Sequence, residues 1–349
     1  MLRFPLTANV AADLVSLFRE GLRASCVRPG ETVIVYTDTL ANPHYPAAFL
    51  AAAKDLGADA FQIVQPSIAL DPTKPSGSGR AAPTPVIVEA MKRADFVVDV
   101  STGGMLYSDA QEAVLRSGTR MLRVREPDDT LRRMFPSEEV RRRTIAGARF
   151  LERARRLRVT SEDGTDFTAE KGERRVHWQY GMADAAGRWD HWPTGMVGTT
   201  LLESTLTGWL VVGRASLFFP LERLVGEPIV CQIEDGALAA IEGGADAVML
   251  REYLGQWGHR NAFRIAHLGW GTEHRARWET LAIRGADGGG GAEARSIYGG
   301  VLLALGENRD LGGENAAPVH VDIALRRACL ELDGVRVVEH GKILVPELA

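Results

Sequence analysis

The sequence predicts an α/β protein: an N-terminal doubly wound parallel sheet, then a C-terminal α+β domain rich in antiparallel strands. Three observations point there. Short apolar runs alternate with amphipathic stretches over the first 125 residues. A different texture of short segments and glycine turns follows from about residue 158. The chain of 349 residues, 45% apolar and 25% charged, is long enough to bury a large core and to divide in two.

The segments TVIVYT (32–37), AFQIVQ (60–65), DFVVDVS (95–101) and RMLRV (120–124) are rich in β-branched residues and read as buried strands. Between them AAFLAAAKDLG (47–57), PVIVEAMKRA (85–94) and DAQEAVLRSG (109–118) carry helical periodicity. Strand, helix, strand in this rhythm gives a parallel sheet, whose ligands sit beyond the carboxyl ends of the strands. That makes STGGMLYS (101–108), directly after the third strand, a candidate pocket wall.

A long helix is expected over about 138–157, and the domain boundary near 158, giving domains 1–157 and 158–349. Beyond it, RVTSEDGTDFTAE and its successors alternate in hydropathy and are broken by D-G, G-G and G-E turns, as antiparallel strands are. Two stretches, DPTKPSGSGRAAP (71–83) and GADGGGGA (285–292), are too rich in Gly, Pro and Ser to pack, and either could serve as a lid.

Composition excludes several classes of function. A net charge of -4 gives no general attraction to nucleic acid or an anionic membrane, which favours small ligands or protein partners. The arginines between 132 and 156 are interleaved with Glu138, Glu139 and Glu152, as on a solvated or subunit-contact face. No long uncharged apolar run and no cleavable leader pattern appear, so a soluble, cytoplasmic protein is expected. Cys26, Cys231 and Cys329 are odd in number and far apart, so they are expected as buried thiols. The GSG at 77–79 completes no dinucleotide fingerprint, and no P-loop, G-x-S-x-G or H-E-x-x-H is present.

The sharpest chemical signal is VHVDIAL (319–325). On an extended strand, side chains at i and i+2 project to one side, roughly 6 to 7 Å apart at Cα, so His320 and Asp322 can reach one ion. IAHLGWG (265–271) offers His267 as a third ligand where an apolar strand runs into a glycine turn. Two imidazoles and one carboxylate on one face of an ion form the facial triad of non-haem Fe(II) oxygenases. The same residues also read as a structural hydrogen-bonded pair plus a core histidine. GRWDHWPTG (187–195) suits the wall of an aromatic-ring pocket, with His191 as general acid or base. It reads equally well as a tryptophan-rich corner in which Asp190 caps a turn. Arg295 is either a partner for a substrate oxygen or a surface arginine.

Taken together, DFVVDVSTGGMLYS, GRWDHWPTG, IAHLGWGTEHRARWETLAI, EARSIYGG and LGGENAAPVHVDIALRRACLELDG resemble, in order and spacing, the 2,5-dihydroxypyridine 5,6-dioxygenases of aerobic nicotinate breakdown. The resemblance implies one Fe(II) per chain held by His267, His320 and Asp322, with a hydroxypyridine and O2 as substrates. It further implies N-formylmaleamate as product, His191 as catalytic acid or base, Leu106, Tyr107, Thr194 and Arg295 as pocket residues, and a homo-oligomer. Tyr107 stands where the family pattern has a histidine, Ala304 where it has a serine and Gln179 where it has a glutamate, which leaves the exact ring open.

The wider superfamily includes thermophilic-type metallo-aminopeptidases, which the chain resembles in the H-x-D strand and the turn at 269–271. Those enzymes hold two metals, with a glutamate where this chain has His267 and a histidine in the segment that here reads GGVLLALG, Leu302 taking its place. A two-metal clamp would then be lost, and peptide hydrolysis with it. A non-catalytic ligand-binding protein on the same scaffold is the third reading.

Overall fold

The computed structural model describes residues 8–67, 83–105, 108–218, 223–280 and 291–349. Both glycine-rich stretches expected as lids lie almost wholly outside the described residues, as do Leu106 and Tyr107. In chain order the strands are β1 (Thr32–Asp38), β2 (Asp59–Gln65), β3 (Phe96–Asp99), β4 (Arg120–Val124), β5 (Arg156–Thr160), β6 (Asp166–Glu170), β7 (Val176–Gln179), β8 (Trp189–Trp192), β9 (Met196–Thr200) and β10 (Thr207–Val212). They continue with β11 (Leu217–Phe218), β12 (Arg223–Leu224), β13 (Ile229–Glu234), β14 (Ala237–Gly243), β15 (Ile265–Gly271), β16 (Val301–Gly306), β17 (His320–Leu325), β18 (Cys329–Leu332), β19 (Val335–Glu339) and β20 (Lys342–Ile343).

Among the described residues, the first compact unit comprises those within 8–67, 83–136 and 181–193. Its sheet runs β2-β1-β3-β4-β8, every pair parallel. Parallel sheets bury both faces, so their strands read as continuous apolar runs, and Val33, Ile34, Val35 and Tyr36 are all buried. One face meets the helices Ala8–Ala24 and His44–Asp55, where Phe18 stacks on Phe49 at 3.8 Å between ring centroids. The other meets Pro85–Met91 and Asp109–Arg116 through Met91 and Val114. The expected doubly wound layout is therefore present, with one strand more than the four the sequence suggested. WDHW is that fifth strand. Trp192, expected as a possible wall for the substrate ring, is instead fully buried in this core, edge-on to Phe18 and Phe135, with its indole N–H donating to the Leu131 carbonyl.

Among the described residues, the second unit comprises those within 137–180 and 194–349. It holds two antiparallel sheets, β14-β13-β10-β6-β5-β18-β19-β20 and β12-β11-β17-β16-β15-β9-β7, which share one apolar core. The boundary expected near 158 thus falls inside this unit. The helix Glu138–Arg153 belongs to it because Ala148 and Leu151 enter that core. The helix also ends at Arg153 instead of 157, where Ala154 turns extended and the Asp333 carboxylate accepts the N–H groups of Arg155 and Arg156. Arg143 departs from the solvated face expected of its cluster: it is buried, donates to the Thr272 carbonyl at 2.9 Å and lies over the Tyr298 ring. Of the three cysteines, Cys231 and Cys329 are buried as expected, whereas Cys26, at φ 59 just past the first helix, is exposed. Among the described residues, no helix is long and apolar enough to cross a membrane.

Candidate metal centre

β17, β16 and β15 lie side by side, and their register sets His267 opposite Ala304 and Ala304 opposite Asp322. Directly opposed residues project from the same face, so the His267 imidazole and Asp322 carboxylate stand on either side of a single methyl group. A small residue at 304 leaves them room to meet. Neighbouring residues Leu268, Leu303, Val321 and Ile323 alternate to the opposite face and fill the core. A register irregularity between Ile265 and His267 allows Ile265 to stay inside while His267 faces out. His320 reaches the same point from two residues before Asp322.

The result is three buried ligand groups whose donor atoms all lie within 4.8 Å of one another. Asp322 Oδ1 lies 3.3 Å from His267 Nε2 and 3.4 Å from His320 Nε2. Among the described residues, no donor is aligned on that oxygen in hydrogen-bond geometry. The three atoms converge on a common point rather than pairing, which fits a shared cation. His320 Nδ1 lies 2.7 Å from the Glu307 carbonyl oxygen. Asp322 Oδ2 accepts a hydrogen bond from Arg295 Nη1 at 3.1 Å.

The electrostatics agree with metal binding, which needs neutral imidazoles and an ionised carboxylate. Burial alone would raise the Asp322 carboxyl, but the positive charge and N–H groups that the facing His320 and His267 rings offer when protonated, together with the Arg295 guanidinium, hold it well below the usual carboxylate range. A cation bound there would take the place of those protons. Burial lowers the proton affinity of His267, with Asp322 pulling the other way. Beside them His177 on β7 sits edge-on to His267 at 5.3 Å, and burial followed by the neighbouring His267 pushes its imidazole down to about 3.

The remaining expected site residues divide between the units. Thr194, in the second, is buried and donates to Gln179 Oε1 at 3.2 Å, so two positions singled out by the sequence are hydrogen-bonded to each other. Leu302 joins Met196, Leu217, Ala294 and Ala324 in an apolar cluster. Among the described residues the triad is the one set of His, Cys, Asp and Glu side chains that converges in this way.

His191, in the first unit, is buried on β8. Sheet register places Tyr36, Asp99, Arg123 and His191 in one row across the carboxyl ends of the strands. Arg123 donates to Asp99 Oδ2 at 2.8 Å and to the Thr102 carbonyl at 3.2 Å, while Asp99 Oδ1 accepts from Ser101. These bonds fix the STGG turn singled out from the sequence. Asp190, expected as a turn cap, accepts the Gly181 N–H at 3.0 Å and pairs with Arg188.

Sequence reasoning missed Glu307, Asn308, Asn315, His177 and Thr200. Asn308 donates to the Ala266 carbonyl and accepts from the Asn315 N–H, while Asn315 donates to the Gly306 carbonyl. Together they fasten the loop that leads into β17. For this loop the polar content of GENRDLGGEN (306–315) was the available signal.

A parallel α/β unit and an antiparallel unit carrying a buried two-histidine, one-aspartate cluster define the class: an aminopeptidase-like fold with a candidate metal site. The structure of AmpT from Thermus thermophilus aligns with 96% of this chain and 99% of its own, at a TM-score of 0.63 and 16% identity, and so bears out that fold. The sequence profile of NicX, 2,5-dihydroxypyridine 5,6-dioxygenase, matches residues 13–345, and the chain belongs to that family. The 2,5-dihydroxypyridine 5,6-dioxygenase of Pseudomonas putida KT2440 is 34% identical over 342 residues, covering 96% of this chain and 97% of the relative. A solved structure of that organism's dioxygenase superposes with a TM-score of 0.92 over 99% of this chain and 100% of its own, at 33% identity.

Proposed function

We propose that this chain opens 2,5-dihydroxypyridine, or a closely related hydroxylated N-heterocycle, between C5 and C6 with O2, using one Fe(II) held by His267, His320 and Asp322. The observation that carries the reading is the convergence of those three donor atoms, within 4.8 Å, in a family whose relatives are dioxygenases. When bound at two imidazoles and a carboxylate, Fe(II) supplies Lewis acidity toward an ionised ring hydroxyl and redox chemistry toward O2, with open positions for both.

The chain's own residues then have definite work. Asp322 neutralises part of the cation's charge, and Arg295 fixes its carboxylate. Apolar Leu302 and Met196 keep water from the same sheet face. His191 takes the proton of the ring hydroxyl on binding and returns it during ring opening, a role supported by imidazole chemistry and the family match. Thr194 and Arg295, with Leu106 and Tyr107, complete the pocket in this reading. Both atoms of O2 end in the product, N-formylmaleamate for the parent ring. The protein works as a cytoplasmic homo-oligomer in this reading.

The test is anaerobic reconstitution with Fe(II), Zn(II) or no metal, followed by oxygen-electrode assays with 2,5-dihydroxypyridine. Oxygen uptake with iron alone, one O2 per ring consumed, is the expected result. Stoichiometric iron without oxygen uptake, or peptide hydrolysis with zinc, would overturn the proposal.

A further inference from the structure

His177 lies on β7, opposite Gly198 of β9, and Thr200 of β9 lies opposite His267 of β15. Strand alternation turns Val176, Trp178, Val197 and Leu268 into the core and leaves His177, Thr200 and His267 on the face that carries the triad. Gly198 makes this possible: a Cβ there would stand 2.8 Å from His177 Nε2, so only glycine lets the ring lie across β9.

Polar atoms buried in proteins find partners in roughly nine cases of ten or more. Here both ring nitrogens of His177, Oγ1 of Thr200 and Nδ1 of His267 are buried with no hydrogen-bond partner among the described residues. The contrast with the next residue is instructive. Thr199, on the opposite face, donates to backbone carbonyls at 3.0 Å, whereas fully buried Thr200 donates to no described residue. Four orphaned atoms side by side, next to a candidate metal ligand, are not what packing alone produces.

We infer that His177 and Thr200 form a polar subsite flanking His267 that hydrogen-bonds a hydroxyl, carbonyl or ring-nitrogen atom of the bound heterocycle. A neutral imidazole offers one N–H donor and one bare nitrogen, and a threonine hydroxyl can donate or accept, so the pair matches an edge that carries both functions, as a hydroxypyridine does. The subsite rests on the proposed dioxygenase reading and names the part of the ring that this side of the sheet holds. The competing role is structural: the His177 ring would merely brace His267.

The experiment compares iron-loaded, anaerobic parent with Thr200→Val, Thr200→Ser, His177→Phe and His177→Gln. It measures iron content and the spectroscopic Kd for 2,5-dihydroxypyridine, followed by aerobic kcat and KM. Thr200→Val and His177→Phe should keep iron at the parent level while Kd and KM rise roughly three- to tenfold each, the worth of one net hydrogen bond. Thr200→Ser should bind as the parent does, which also guards against a folding defect in the valine variant. Parent-like Kd in both apolar variants, or a loss that follows iron content alone, overturns the subsite. A parent that binds no hydroxypyridine overturns the dioxygenase reading, and the subsite with it.

Discussion

The Nδ1 atom of His320 lies 2.7 Å from the carbonyl oxygen of Glu307, and a carbonyl oxygen only accepts. The Nδ1 nitrogen therefore carries the proton, and Nε2 presents its lone pair toward Asp322 and His267. One backbone oxygen thus selects the tautomer that can bind a cation, the arrangement by which outer contacts orient metal ligands. The Glu307 side chain secures that oxygen by accepting the N–H groups of Arg309 and Ala317.

Replacing His320 or Asp322 by Ala is therefore expected to abolish iron binding and turnover together, measured as metal per chain after anaerobic reconstitution. Glu307→Ala should act more gently, weakening iron by roughly 10- to 100-fold, as losses of outer support do. A Glu307→Ala protein with parent iron affinity would show that the loop holds its carbonyl by other means.

Arg295 donates to the Asp322 oxygen that faces away from the imidazoles. Its first effect should then be on the metal: Arg295→Ala is expected to loosen iron by roughly 10- to 100-fold. Arg295→Lys, which keeps the charge but loses the planar fork, should fall between. If iron affinity is unchanged and only substrate KM rises, Arg295 serves the substrate and not the carboxylate.

Much of this site was legible because it is local. An H-x-D pair on a strand fixes its own geometry through the two-residue period, and the parallel strands announced themselves as continuous apolar runs. What escaped depends on pairings distant in sequence. WDHW carries two polar residues and joins β4 only after the chain has entered the second unit and returned, so no local pattern marks it as a strand. His177 and Thr200 acquire meaning only from the order β7-β9-β15, and Arg143 only from the backbone turn at Thr272 that it serves.

Gly104 illustrates a requirement of the STGG turn. It sits at φ 68, and a Cβ there would overlap the Arg123 guanidinium. Gly104→Ala should displace Arg123 from Asp99 and cost about 1 to 3 kcal/mol, the usual range for backbone strain of this kind. Chemical denaturation checks this; a loss under 0.5 kcal/mol on the same order-of-magnitude scale would mean the turn relaxes freely.

For His191, exchange by Gln keeps a polar side chain but removes proton transfer near neutral pH. Iron content should match the parent while kcat falls by about 10² to 10⁴. Turnover at the parent rate would remove His191 from the mechanism.

Cys231 supplies a pH test independent of the metal. Burial pushes its thiol up to about 12 from an ordinary 9.0. Between those values the unfolded chain releases a proton that the folded chain retains, so folding loses stability as pH rises, by at most about 1.4 kcal/mol per pH unit from this group. Below pH 9 the thiol is protonated in both states and contributes no slope. Urea unfolding of the metal-free protein at pH 8 and pH 10.5 should show a larger alkaline loss for the parent than for Cys231→Ala, although the variant is less stable at both. The thiol should also resist alkylation in the folded state while exposed Cys26 reacts. Equal alkaline losses in parent and variant would mean that Cys231 ionises in place, and that water reaches the core at β13.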